Sequence, residues 1–209
     1  VPIVFAFLAA LVAALPSKAR EPVNLVVLGD SLVAGYELGP AEDYPAQLEA
    51  ALTEAGYQVA VANAGVSGDT TSGGLARVNW SVPDGTDGVI LELGANDALR
   101  GVAPQKAKEN LAAIIESLQG RDIPVMLMGM MAPPNMGADY ADAFNPIYEA
   151  LAEQYGVPLY PFFLDGVAAN ADLQLSDGMH PNAKGVEVMV EKTLSAVEAF
   201  VDTIGGQAN

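Results

Sequence analysis

From residue 23 onward, short runs of apolar and β-branched residues alternate with longer stretches in which apolar positions recur at helical spacing. That alternation is the mark of βαβ units on a parallel sheet. The runs predict strands over 23–28, 58–62, 88–93 and 125–130, with a weaker fifth over 157–160. The stretches between and after them predict helices over 44–55, 71–78, 104–119, 139–155 and 181–201. Pro104 suits the first turn of a helix, and Gly56 and Gly120 stand where helices stop. Leu25-Val26-Val27-Leu28 and Val125-Met126-Leu127-Met128 are unbroken apolar runs, as expected of strands covered on both faces. The order βα repeated five times therefore predicts an α/β protein built as a three-layer α/β/α sandwich. Ligands of such sheets bind outside the carboxyl ends of the strands, so the loops that follow the strands are where chemistry is expected.

No repeat, low-complexity tract or Gly/Ser-rich linker divides the chain, and residues 20–209 are expected to form a single domain. Residues 1–15 are almost wholly apolar and run into Pro16, Ser17, Lys18, Ala19 and Arg20. This segment is shorter than the roughly 20 residues that a membrane span requires. The small residues Ser17 and Ala19 stand two apart, as a signal-peptidase site prefers. Residues 1–19 are read as a signal peptide cleaved after Ala19, and the mature protein as periplasmic or secreted, with no stable membrane insertion. A core helix or a retained anchor is the competing reading of the same segment.

Charge narrows the partners. With 26 acidic residues against 9 basic ones the formal net charge is −17, and no Lys/Arg run interrupts that balance. Nucleic acid is excluded as an expected partner, and anionic substrates and surfaces are disfavoured. The chain has no cysteine, which removes disulfides, thiolate nucleophiles and cysteine metal sites without identifying a compartment.

Chemistry concentrates in the loops after the strands. Gly29-Asp30-Ser31-Leu32 follows the first run, and Ser31 falls at a strand-to-helix turn where a hydroxyl can serve as a nucleophile or cap the next helix. A dinucleotide fingerprint would need glycine at position 31, and no Walker A pattern occurs. The only histidine is His180, in Asp177-Gly178-Met179-His180-Pro181-Asn182. A serine nucleophile needs a general base that titrates near neutrality, and here that base can only be His180. Asp177, three residues upstream, is close enough to fix the ring tautomer. A single histidine argues against a multi-histidine metal site. Acyl transfer further needs donors aimed at the oxyanion. Two loops offer them: Asn63-Ala64-Gly65 after the second strand, through the Gly65 N–H, and Gly94-Ala95-Asn96-Asp97 after the third, through the Asn96 amide. Each loop taken alone is equally what a tight turn uses.

Together, in this order, the four blocks resemble the SGNH hydrolase family, also called GDSL esterases. Gly29-Asp30-Ser31-Leu32 is similar to its first block, Gly65 to its second, Gly94-x-Asn96-Asp97 to its third and Asp177-x-x-His180 to its last. The segment from Ser67 to Arg77 resembles the bacterial periplasmic branch of thioesterase I, lysophospholipases and arylesterases. The one departure is Ala95, where glycine is expected in that branch. The resemblance implies a flavodoxin-like sheet of five parallel strands in order 2-1-3-4-5, and hydrolysis of small-molecule esters without a cofactor or metal. It implies that Ser31 attacks the ester carbonyl, that His180 takes and returns the proton, and that Asp177 orients His180. The Ser31 N–H, the Gly65 N–H and the Asn96 side chain would form the oxyanion hole. Aryl and short-to-medium acyl esters rank first as substrates, lysophospholipids second and acyl thioesters third. A carbohydrate acetyl esterase is the alternative within the same chemistry, and a non-catalytic binding protein on the same frame is the alternative outside it. The segment 130–137, with Pro134, Asn135 and Met136 at its centre, is expected to line the acyl groove together with Tyr140 and Phe144, since methionine adapts to varied apolar shapes. Met126 and Met128 are expected in the core.

Overall fold

The computed structural model describes residues 21–208; the expected leader, residues 1–19, lies outside the described residues. Five strands form one parallel sheet: β1 (Val23–Gly29), β2 (Val59–Gly65), β3 (Gly88–Glu92), β4 (Val125–Met128) and β5 (Leu159–Tyr160). Their spatial order is β2-β1-β3-β4-β5, as expected. The chain moves outward from β1 to β2, returns to β3 on the other side of β1, and continues to β5. The carboxyl ends of β1 and β3 therefore flank the point where the winding reverses, which is the natural ligand crevice of an open α/β sheet.

Helices cover both faces. On one, α2 (Tyr44–Glu54) packs against α8 (Ala183–Thr203); on the other, α3 (Thr71–Ser81) packs against α5 (Pro104–Gln119), which also meets α7 (Ile147–Tyr155). Short helices α1 (Ser31–Ala34), α4 (Ala95–Leu99) and α6 (Ala138–Phe144) complete the set. Strands β3 and β4 are buried at every position and β1 at all but Asn24, which explains their unbroken apolar runs. Met126 and Met128 are core residues, as expected. No helix among the described residues is long and apolar enough to cross a membrane.

Three boundaries differ from the sequence reading in ways that matter. Strand β2 was expected to end at Ala62 but continues to Gly65, because Asn63, Ala64 and Gly65 pair in register with Val27, Leu28 and Gly29 of β1. The helix expected over 139–155 is two helices. Pro146 has no N–H to give and caps the start of α7, so α6 closes at Phe144. The last helix begins at Ala183 rather than Pro181, because extended Asn182 caps it through a 3.0 Å bond from the Gly185 N–H.

Candidate active site

Ser31 is the first residue of α1, immediately beyond the end of β1. The capping role open to it belongs to Asp30, whose Oδ1 accepts the Leu32 N–H at 3.0 Å. The Ser31 hydroxyl is thereby left for other work. It lies 2.9 Å from Nε2 of His180, and Nδ1 of His180 lies 2.5 Å from Oδ2 of Asp177. Ser31 is buried, His180 half-buried and Asp177 exposed. The three residues singled out by rarity and order thus converge, from chain positions 149 residues apart, into one hydrogen-bonded relay.

The loop that carries the base is self-braced. Leu175 N–H donates to the His180 carbonyl at 2.8 Å, Gly178 turns the chain at φ 67°, and Asp177 Oδ1 accepts the N–H groups of Met179 and His180 at 2.9 and 3.0 Å. Those donors, with the bond to His180 foremost, hold the Asp177 carboxyl down to about 2. It is an acceptor throughout the neutral range, which fixes the proton on Nδ1 and leaves Nε2 free to accept from Ser31. Tyr36 covers the imidazole, with ring centroids 4.5 Å apart.

The oxyanion donors are placed unevenly. The Ser31 N–H opens α1, where a helix offers it no internal acceptor. The Asn96 amide donates one hydrogen to Asp30 Oδ2 at 2.9 Å, which leaves the second available. Gly65 is differently placed from the turn its composition suggested. It is not a free turn residue but the end of β2, and its N–H donates to Asn63 Oδ1 at 2.9 Å. Glycine is required there for packing, since a side chain would overlap the backbone of Ala34 in α1. Ala95 is the first residue of α4, and the backbone conformation that demands glycine falls on Gly94, at φ 125° and packed under the Tyr148 hydroxyl.

Behind the nucleophile lie two acids that the sequence reading did not single out. Glu92, fully buried at the end of β3, accepts the Asp30 N–H through Oε2 at 3.2 Å, and its Oε1 has no partner. Burial and the neighbouring Asp30 carboxyl push Glu92 well above its usual range. Burial raises Asp30 to about 6, against the pull of Leu32 and Asn96. Glu92 ends β3 and Asp30 follows β1, a pairing that no local pattern reveals.

The expected acyl groove is partly redrawn. Pro134 and Asn135 are exposed and Met136 half-buried in a 3-10 turn, Pro134–Met136. Met136 comes near Gly101, just beyond α4, and Tyr140 donates to the Val102 carbonyl at 2.7 Å, so this segment does flank the Asn96 loop. Met130 and Phe144 are buried in the core and cannot line a groove. A separate cavity of about 160 Å³ between α5, α6 and α7 is lined by Pro104, Lys108, Pro146 and Ile147 and contains no residue of the relay.

Such a fold and relay define a serine hydrolase. The family model for the GDSL-like lipase/acylhydrolase family matches residues 27–188, and the chain belongs to that family. It is 43% identical over 166 residues to an arylesterase of Vibrio mimicus, covering 79% of this chain and 82% of the relative. Esterase TesA of Pseudomonas aeruginosa is 40% identical over 159 residues, 76% of this chain and 79% of the relative. Among solved structures, AlinE4, an SGNH-hydrolase family esterase, aligns with a TM-score of 0.74 at 48% identity, covering 88% of this chain and 99% of the other.

Proposed function

We propose that this chain hydrolyses carboxylic esters through a Ser31-His180-Asp177 triad and an acyl-enzyme intermediate. The observation that carries the reading is the relay itself: Ser31 Oγ at 2.9 Å from His180 Nε2, with Asp177 on the other ring nitrogen. Nε2 accepts the hydroxyl proton as Oγ bonds to the ester carbonyl carbon. The ring, now carrying both protons, returns one to the departing alcohol oxygen as the tetrahedral intermediate collapses. Water then repeats the sequence on the acyl-enzyme, releasing the acid and restoring Ser31. Asp177, ionised throughout, stabilises the imidazolium that forms in each half-reaction. The oxyanion is met by the Ser31 N–H and the second Asn96 amide hydrogen; Gly65 joins when its N–H turns from Asn63 Oδ1 to the developing charge.

Aryl and short-to-medium acyl esters are the preferred substrates, ahead of lysophospholipids and acyl thioesters. The net charge of −17 supports that order, because it slows the approach of polyanionic thioesters such as those of coenzyme A. Residues 1–19 act as an export signal, and residues 20–209 work as one domain in the periplasm or outside the cell. The test is initial rate on phenyl acetate, p-nitrophenyl esters from acetyl to dodecanoyl, lysophosphatidylcholine and palmitoyl coenzyme A, with Ser31→Ala as blank. Turnover that disappears in a folded Ser31→Ala protein is expected. Ester hydrolysis retained by that variant would overturn the assignment.

A further inference from the structure

Arg77 of α3 is an unusual cation. Its side chain is 7% exposed, and its donors spread over four partners: Nε to Asp69 Oδ2 at 2.7 Å, Nη1 to the Ala64 carbonyl at 2.7 Å and Ser81 Oγ at 3.1 Å, and Nη2 to the Gly29 carbonyl at 2.8 Å. Gly29 ends β1, and Ala64 is its near neighbour on β2. A single planar guanidinium therefore bridges the carboxyl ends of the two strands that lead into Ser31 and Gly65.

Both carbonyls belong to peptide units that matter. The Gly29 carbonyl shares its peptide with the Asp30 N–H, which is held at the other end by Glu92 Oε2. The Ala64 carbonyl shares its peptide with the Gly65 N–H, held at the other end by Asn63 Oδ1. A trans peptide is planar, so its N–H points opposite its C=O, and holding one end directs the other. A cation on the carbonyl also polarises the unit and strengthens the N–H as a donor. We propose that Arg77 is a positioning residue for ester hydrolysis: through the Ala64 carbonyl it directs and polarises the Gly65 N–H toward the oxyanion, which replaces Asn63 Oδ1 as the acceptor of that N–H. This rests on the triad reading above. An ammonium cannot reproduce it, because one nitrogen on a flexible stem does not span two carbonyls and a carboxylate in a fixed plane.

The alternative is an ion pair with Asp69 that serves folding alone. Two variants separate the roles. Arg77→Lys should keep KM within about twofold while kcat falls on the order of tenfold to a hundredfold, the scale of a weakened oxyanion donor. Asp69→Asn removes the ion pair but leaves both carbonyl bonds; it should lower the melting temperature with kcat within about twofold of wild type. Equal kcat losses in the two variants, or a Lys variant with unimpaired kcat, would overturn the proposal. A third measurement stands even where the Lys variant does not fold: the Gly65 amide proton resonance of the wild-type protein before and after Ser31 is blocked with a p-nitrophenyl phosphonate. The resonance should move downfield as its acceptor changes from an amide oxygen to the more strongly accepting phosphonyl oxygen. An unmoved resonance in the blocked protein takes Gly65, and so Arg77, out of the oxyanion site. Wild-type protein that neither reacts with the phosphonate nor turns over any ester would instead sink the triad reading, and this inference with it.

Discussion

Glu92→Gln should make the protein more stable at neutral pH, and the gain should disappear in acid. In the folded state Glu92 is fully buried, has one unpartnered oxygen, and faces Asp30 rather than a cation. Its carboxyl titrates well above the usual 4.5, so it stays protonated where an unfolded chain would release the proton. For an acid with a raised folded pKa the linkage is unfavourable: below pH 4.5 both states hold the proton, and above it only the folded state does, so stability falls as pH rises toward the folded pKa. Between pH 4.5 and 7 the loss accumulates at about 1.4 kcal/mol per unit, to as much as about 3 kcal/mol. Glutamine has the same shape, keeps an acceptor for the Asp30 N–H, offers an N–H toward the Asp30 carboxylate, and has no proton to lose. The difference in unfolding free energy should therefore grow from near zero at pH 4 to a gain of order 1–3 kcal/mol at pH 7. Urea titrations of both proteins at each pH, compared at equal m-values, read it directly; urea leaves the charges unscreened, and titrations away from the Asp30–Glu92 pair cancel in the difference. A Gln variant that is less stable at pH 7, or a difference that does not change with pH, would mean that Glu92 is ionised in the native state and would refute the reasoning.

Four other outcomes are expected. Asp177→Asn should fold and bind substrate but lose kcat by roughly 10⁴-fold, because an amide partner allows the wrong ring tautomer; steady-state kinetics at pH 7 check it. The carboxyl of Asp177, lowered to about 2, contributes stability above about pH 4 that is lost as pH falls toward 2. Its exposure limits that contribution to about 1 kcal/mol or less, measurable as convergence of wild type and Asp177→Asn in acid unfolding. Gly65→Ala places a methyl group into the Ala34 backbone, which should cost about 1–3 kcal/mol by thermal or urea unfolding and lower activity, since α1 carries Ser31. Tyr36→Leu removes the aromatic face over His180 and should reduce kcat about two- to fivefold with stability unchanged, the scale of an exposed ring-to-cation contact.

The Ser31-His180-Asp177 relay was legible because its chemistry restricts residue type and the chain offers few candidates: one histidine, an aspartate three residues before it, and a serine directly after the first strand. The sheet was legible because β1, β3 and β4 are covered on both faces and are therefore apolar at nearly every position. The short helices α1 and α4 were not read, because four or five residues contain too little of a helical period to register. The break at Pro146 was visible in principle, since a proline inside a helical pattern ends it; the apolar periodicity on either side masked it.

What remained hidden shares one physical cause. Asn63-Ala64-Gly65 has the composition of a turn, yet pairing with β1 extends it as strand, because hydrogen bonds gained against a neighbouring strand outweigh a weak local preference. Once that register is set, the Ala64 and Gly29 carbonyls come within reach of one guanidinium, and the pairing of β1 with β3 likewise brings Asp30 over Glu92. None of these contacts joins two side chains at a readable spacing; each joins a side chain to main chain delivered by a different strand. Residue type identifies the groups that react, because reaction demands particular side chains. The groups that aim them act largely through peptide bonds, which every residue supplies, and so emerge only when the sheet register is known.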